Sequence, residues 1–173
     1  MNIRQATTND AAPILQYLAA FWADGCNTAI YRSSLPSLQD ETNWLAQRDG
    51  ECGVVFIAEQ DDKIVGLIDT IIPKIDEFKH TCEFGMSVLA AYRNKGIGKS
   101  LIQHLLIWVN IEHISNVELN VFSNNHTAIA LYAGLGFVED GRRKNAVKLQ
   151  NGTFCDLIHM TKYMNYPLCS KRY

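Results

Sequence analysis

The chain has 173 residues, 47% of them hydrophobic and 20% charged, with a formal net charge of -2. That is enough for one domain with a full core, and the charge balance gives no general case for a nucleic-acid or anionic-membrane partner. Cys26, Cys52, Cys82, Cys155 and Cys169 are scattered without a CxxC pair and the histidines lack ligand spacing, so neither a disulfide framework nor a metal site is expected.

MNIRQAT alternates apolar and polar residues, as a short strand does, and the stretch MNIRQATTND has no apolar h-region. TND offers a helix cap at Thr8 or Asn9, and AAPILQYLAAF continues as an apolar helix with Pro13 in its first turns. Residues 24–37 read as a loop, and SLQDETNWLAQR as a second short helix capped near Ser37. GVVFIAEQ and KIVGLIDTII flank the turn QDDK and form a hairpin, with Gly66 marking a bulge or a close backbone approach. TCEFGMSVLA is a third strand. GKSLIQHLLIWVN is the clearest helix, with Leu101, Leu105 and Trp108 on one stripe and Ile102, Leu106 and Val109 beside it. NVELNVF is a strand, NHTAIALYAGLG a helix ending at Gly134 or Gly136, and NAVKLQ and TFCDLIHMTKY a hairpin joined at Asn151-Gly152. The strand–helix–strand unit in the middle requires one parallel pair in an otherwise antiparallel sheet, so the fold class is α/β with a mixed sheet. One domain over 1–164 and a polar tail, 165–173, are expected. No run reaches membrane-spanning length, and the chain reads as cytoplasmic.

YRNKGIGKSL, residues 92–101, has the look of a phosphate-binding loop. A Walker loop, GxxxxGK[ST], fails because its first glycine position is Arg93, and the dinucleotide GxGxxG fails at Leu101. The pattern R/Q-x-x-G-x-G/A is complete as Arg93-Asn94-Lys95-Gly96-Ile97-Gly98. After a strand and before a long helix, such a loop turns unpaired N–H groups outward toward a pyrophosphate. Lys95, Lys99 and Arg93 add positive charge. On the strand before it, Cys82, Phe84, Met86 and Val88 share a face that reads as core. Glu83, Gly85 and Ser87 share the other, with room for a ligand.

The hexapeptide, the N-x-x-A-x-x-L-Y run from Asn125 to Tyr132 and GLGF at 134–137 together resemble the GCN5-related N-acetyltransferase (GNAT) superfamily over most of the chain. The resemblance implies two central strands splayed apart, 82–89 and 116–122, with flanking helices. It also implies acetyl-CoA as co-substrate and no metal, the pantetheine pairing with Met86, Ser87 and Val88. The pyrophosphate would lie on Arg93, Asn94, Lys95, Gly96, Ile97, Gly98, Lys99 and Ser100, with Asn125 touching the cofactor as well as capping its helix. The implied reaction is direct attack by a primary amine on the thioester. Glu83 is the first candidate for the general base and Asp69 the second. Tyr132 matches the family's proton donor to the departing thiolate, although its stripe of Ala128, Leu131 and Leu135 also reads as packing. A backbone N–H near Val88 would serve the developing oxyanion.

Trp22, Tyr31 and Trp44 lie where relatives build an acceptor wall, and ordinary packing explains them equally well. Arg142-Arg143-Lys144 reads first as a solvated turn. Asp69, Asp76, Glu77 and Glu83 lean toward a small cationic acceptor such as an amino acid or polyamine. A protein N-terminus or lysine as acceptor, or a non-catalytic acyl-CoA-binding module, stays open, as does a homodimer through the last hairpin.

Overall fold

The computed structural model describes residues 1–24, 34–48, 50–149 and 151–164. The expected tail and Tyr31, Cys26 and Cys169 lie outside them. In chain order the elements are β1 (Asn2–Gln5), α1 (Ala11–Ala23), α2 (Leu38–Ala46), β2 (Val55–Gln60), β3 (Lys63–Ile71), β4 (Thr81–Val88), α3 (Ile97–Ile111), β5 (Asn116–Phe122), α4 (His126–Gly134), β6 (Val138–Lys148) and β7 (Phe154–Tyr163). Among the described residues they form one seven-stranded sheet, ordered β1-β2-β3-β4-β5-β7-β6. Every neighbouring pair is antiparallel except β4 with β5. The mixed α/β architecture is the one expected.

Local chemistry explains most boundaries. The cap expected at Thr8 or Asn9 lies at Thr7 for a short 3-10 turn over Thr8–Asp10, where Thr7 N–H donates to Asp10 Oδ2 at 2.7 Å, and α1 itself starts after Asp10. Asp10 is also gripped by Arg4, Nη2 to Oδ1 at 2.7 Å, and Arg4 reaches Glu59 at 2.7 Å. These bonds, chiefly the one from Arg4, hold the Asp10 carboxyl down to about 2. Ser37 caps α2 as expected, its Oγ accepting from Asp40 N–H at 3.1 Å.

The β2–β3 turn places Asp61 and Asp62 at φ 52° and 58°, the mirror-image turn that suits the strand twist. The bulge expected near Gly66 lies at Val65, since Ala58 pairs with Gly66 and Glu59 with Ile64. The close approach is present too: a Cβ on Gly66 would stand 3.1 Å from both Ile97 Cγ2 and Leu101 Cδ1.

Two readings need correction. The buried stripe of α3 is Ile97, Leu101, Ile102, Leu105 and Val109, while Leu106 and Trp108 are only half-buried. β6 begins at Val138, well before NAVKLQ, so Arg142-Arg143-Lys144 lies on a strand and not in a turn. That edge strand is exposed along nearly all of its length and broken by irregular pairing near Asp140 and residues 144–146, so it carries no apolar alternation to read. Arg142 is ion-paired to Glu139 at 2.8 Å and to Asp156 at 3.2 Å.

The sheet separates two cores. α3 and α4 cover one face over Val65, Ile68, Phe84, Leu119 and Met160, and α1 and α2 cover Val55, Ile57, Ile64 and Leu67 on the other.

Candidate active site

β4 and β5 pair only from Thr81–Glu83 to Asn116–Glu118, although β4 continues to Val88 and β5 to Phe122. On its other edge β4 is paired with β3 from Glu83 to Val88. Leu89 N–H donates to Val65 O at 3.0 Å, so the bonds to β3 fall on alternate residues of β4, those in phase with Leu89. The N–H groups of Met86 and Val88 therefore face away from β3, into the split. A cavity of about 970 Å³ occupies the split and runs from the loop after β4 to the inner faces of α1 and α2.

At one end of the cavity stands the glycine loop. Asn94 (φ 59°) and Gly96 (φ 81°) take left-handed conformations, and Gly96 caps α3. The first intrahelical bond runs from Ser100 N–H to Gly96 O at 3.0 Å, so the N–H groups of Ile97, Gly98 and Lys99 have no acceptor within the helix. Gly98 serves close packing, since a Cβ there would lie 3.1 Å from Met86 Cε and 3.4 Å from Leu131 Cδ2. Arg93 Nε donates to Val88 O at 3.0 Å and ties the loop back to the strand.

In the middle, Tyr132 is buried and meets Phe84 and Phe137 edge-on at 5.9 and 6.0 Å. Burial pushes its phenol up to about 12, so it stays protonated at neutral pH. Asn125 Oδ1 accepts from Ala128 N–H at 3.2 Å and caps α4. Glu83 is exposed at the rim, where its Oε1 accepts from Asn120 Nδ2 at 2.7 Å. His159 Nδ1 lies 3.4 Å from Asn120 Oδ1, and its Nε2 lies 3.8 Å from Glu118 Oε2. Asp69 closes over the same strand, its Oδ1 3.2 Å from where a Cβ on Gly85 would be. At the far end the wall consists of Ile14, Leu18 and Phe21 from α1 and Glu41, Trp44 and Arg48 from α2 and the turn after it.

The profile of the acetyltransferase (GNAT) family matches residues 17–137. The chain belongs to that family. It is an acyl-CoA-dependent N-acetyltransferase. It is 28% identical over 161 residues to the L-amino acid N-acetyltransferase AaaT of Escherichia coli K12, covering 92% of this chain and 96% of that one. A GNAT-family acetyltransferase from Streptococcus pneumoniae superposes with a TM-score of 0.87 at 22% identity, covering 94% of this chain and 99% of the other. The structure of yncA, a putative acetyltransferase from Salmonella typhimurium with its cofactor acetyl-CoA, gives 0.84 at 21% identity, covering 96% and 95%.

In this acetyltransferase, Met86, Ser87, Val88, Arg93, Asn94, Gly96, Ile97, Gly98, Lys99, Asn125, Tyr132 and Glu83 all line the one cavity. Lys95 and Ser100 do not: Lys95 Nζ lies over the Tyr92 ring at 5.2 Å, and Ser100 begins the helix hydrogen-bonding. The face assignment on β4 is corrected. Met86 and Val88 are half-buried cavity wall, whereas Ser87, read as open, is covered by α1, with Tyr17 O–H donating to its Oγ at 2.8 Å. Trp44 lines the cavity and Trp22 does not. Asp76 pairs with Lys79 at 2.7 Å outside it, and Glu77 is outside as well. Sequence reasoning missed Glu41, Arg48 and Asn120. A signal existed for Glu41, four residues before Leu45 on the buried side of α2. Among the described residues no His, Cys, Asp and Glu cluster suits a metal ion, and no helix is long and apolar enough to cross a membrane.

Proposed function

We propose that the protein transfers an acetyl group to the primary amine of a small molecule by direct attack in a ternary complex. Acetyl-CoA supplies the activated acetyl thioester; the chain supplies the binding, orientation and proton transfer. The observation that carries this reading is the one-sided pairing of β4. Its free edge at Met86 and Val88 offers strand-type hydrogen bonds, and the N–H groups of Ile97, Gly98 and Lys99 stand ready for phosphate oxygens. Arg93, Asn94 and Gly96 complete that cradle, Lys95 adds charge from outside the wall, and Asn125 orients the helix bearing Tyr132.

An amine of pKa about 10 is roughly a thousandth neutral at pH 7, a barrier of about 4 kcal/mol. A carboxylate that takes its proton, directly or through water, is typically worth about 10²–10⁴-fold. Glu83 is assigned that task because it is an exposed carboxylate on the cavity wall with one oxygen held by Asn120; Asp69 is the alternate. Val88 N–H, facing the split, donates to the thioester carbonyl oxygen. Tyr132 O–H gives its proton to the departing sulfur. Asp69 and Glu83 on the cavity wall favour a small cationic acceptor, and the name of the E. coli relative agrees with that choice.

The test is CoA thiol release from acetyl-CoA with a panel of amino acids, polyamines, aminoglycosides and short peptides. Acceptor-dependent release with the small amines is expected. Release only with peptides would move the acceptor to a protein, and acetyl-CoA binding with no release from any acceptor would make the domain a sensor.

A further inference from the structure

The α2 wall of the cavity carries a cation, Arg48, that has no counter-charge among the described residues. Glu41, Trp44 and Arg48 follow one another at helical spacing along α2 and the turn after it, and all three line the cavity. The Arg48 side chain is half-buried, its Cζ 5.0 Å from the centroid of the Trp44 ring. Its Nε is shut off from water with no hydrogen-bond partner. Among the described residues its guanidinium forms no ion pair. Other arginines of the chain are used differently: Arg4 and Arg142 each grip two carboxylates, and Arg93 donates to a main-chain oxygen. A guanidinium stacked on an indole is oriented in advance, and its planar donor fork matches a carboxylate.

The location of Arg48 matters as much as its chemistry. The segment following it folds onto the end of β3, with Ile72 N–H donating to Cys52 O at 3.2 Å and Thr70 N–H to Val54 O at 2.9 Å. Ile71 at that end is in register with Glu83 and shares the cavity wall with it. Arg48 and the proposed base therefore line the same chamber. Asp69 and Glu83 favour an ammonium there.

We propose that Arg48 anchors a carboxylate of the acceptor, so that the acceptor is a zwitterion bearing both the reacting amine and a carboxylate, and not a polyamine. This rests on the reading of the chamber as the amine site. A free amino acid and the C-terminus of a short peptide offer the same carboxylate, and the test separates them.

The experiment compares a series with one side chain throughout: the free amino acid, its amide, its decarboxylated amine and a dipeptide ending in the same residue. Each is assayed by thiol release with wild type, Arg48→Met and Arg48→Lys. In the wild type the free amino acid should exceed its amide and its amine at least tenfold in kcat/KM. Arg48→Met keeps the stem that packs on Trp44 and should bring the amino acid down to the level of the amide, with the loss in KM. Arg48→Lys should restore part of the preference. A dipeptide better than the free amino acid would place the carboxylate on a peptide. The inference falls if amide or polyamine matches the acid in the wild type, or if the preference survives in Arg48→Met. A binding arm is independent of turnover: with CoA present, the N-acetylated amino acid should raise the melting temperature of the wild type and not of Arg48→Met. If no acceptor releases thiol, the proposed function fails while the melting shift still decides on Arg48. If Arg48→Met melts early on its own, the same comparison is read from Arg48→Lys against the amide.

Discussion

The two halves of the sheet are built differently. In β3 the run Ile64–Ile68 is buried without interruption, because α1 and α2 press on one face and α3 on the other. In β5 burial alternates from Asn116 to Val121: Val117, Leu119 and Val121 face the core, while Glu118 and Asn120 face the uncovered side with His159 of β7. Both halves share hydrogen-bonding and twist, so the contrast lies in what covers them. The first half supplies rigidity, the second a polar surface, and β4 between them belongs to the first by its bonds and to the second by its free edge.

This contrast can be broken by substitution. The largest effect is expected at Glu83, where Glu83→Gln should lower kcat about 10²–10³-fold in the thiol-release assay. Its exposed side chain predicts an almost unchanged melting temperature. A fall in stability of the same order as the fall in rate would mean that the open face is structural after all. On the covered half, Leu105 is fully buried, and Leu105→Ala should cost about 2–5 kcal/mol in urea unfolding. The KM for acetyl-CoA should move little.

Tyr132 sits on the seam and should register in both measurements. Tyr132→Phe is expected to lower kcat at least tenfold. Because burial raises the phenol from 10 to about 12, its contribution to stability is complete below pH 10 and lost as pH climbs through about 12. The wild type should therefore lose stability more steeply than Tyr132→Phe across that interval; parallel curves would place the hydroxyl in water. The smallest effect concerns Asp10, far from the chemistry. Its lowered carboxyl stabilises the fold above pH 3.8, and that stabilisation disappears as pH falls toward about 2. Asp10→Asn should flatten the acid limb of the stability curve without altering acetyl transfer at pH 7.

How legible this was depended on distance along the chain. The glycine loop, the cap at Asn125 and the position of Tyr132 lie within short stretches whose spacing states the geometry. The hairpin turns were equally local. Asn120 and Arg48 carry no such mark: one matters because β5 diverges from β4 beyond Glu118, the other because the segment after α2 pairs with the end of β3 beside the cavity. The misread face of β4 has the same origin. Alternation along the strand correctly grouped Glu83, Gly85 and Ser87, yet only the packing of α1 decides that Ser87 is covered while Glu83 remains open.

The hydrogen bond from Tyr17 to Ser87 has a consequence for how such an enzyme can change over generations. It pins the middle of α1 to the strand proposed to hold the cofactor, so a new residue at position 17 alters both partners' sites at once. Arg48 on the α2 wall makes no comparable bond to β4 among the described residues. New acceptors should thus be gained by substitutions along α2, leaving α1 to inherit its sequence nearly intact.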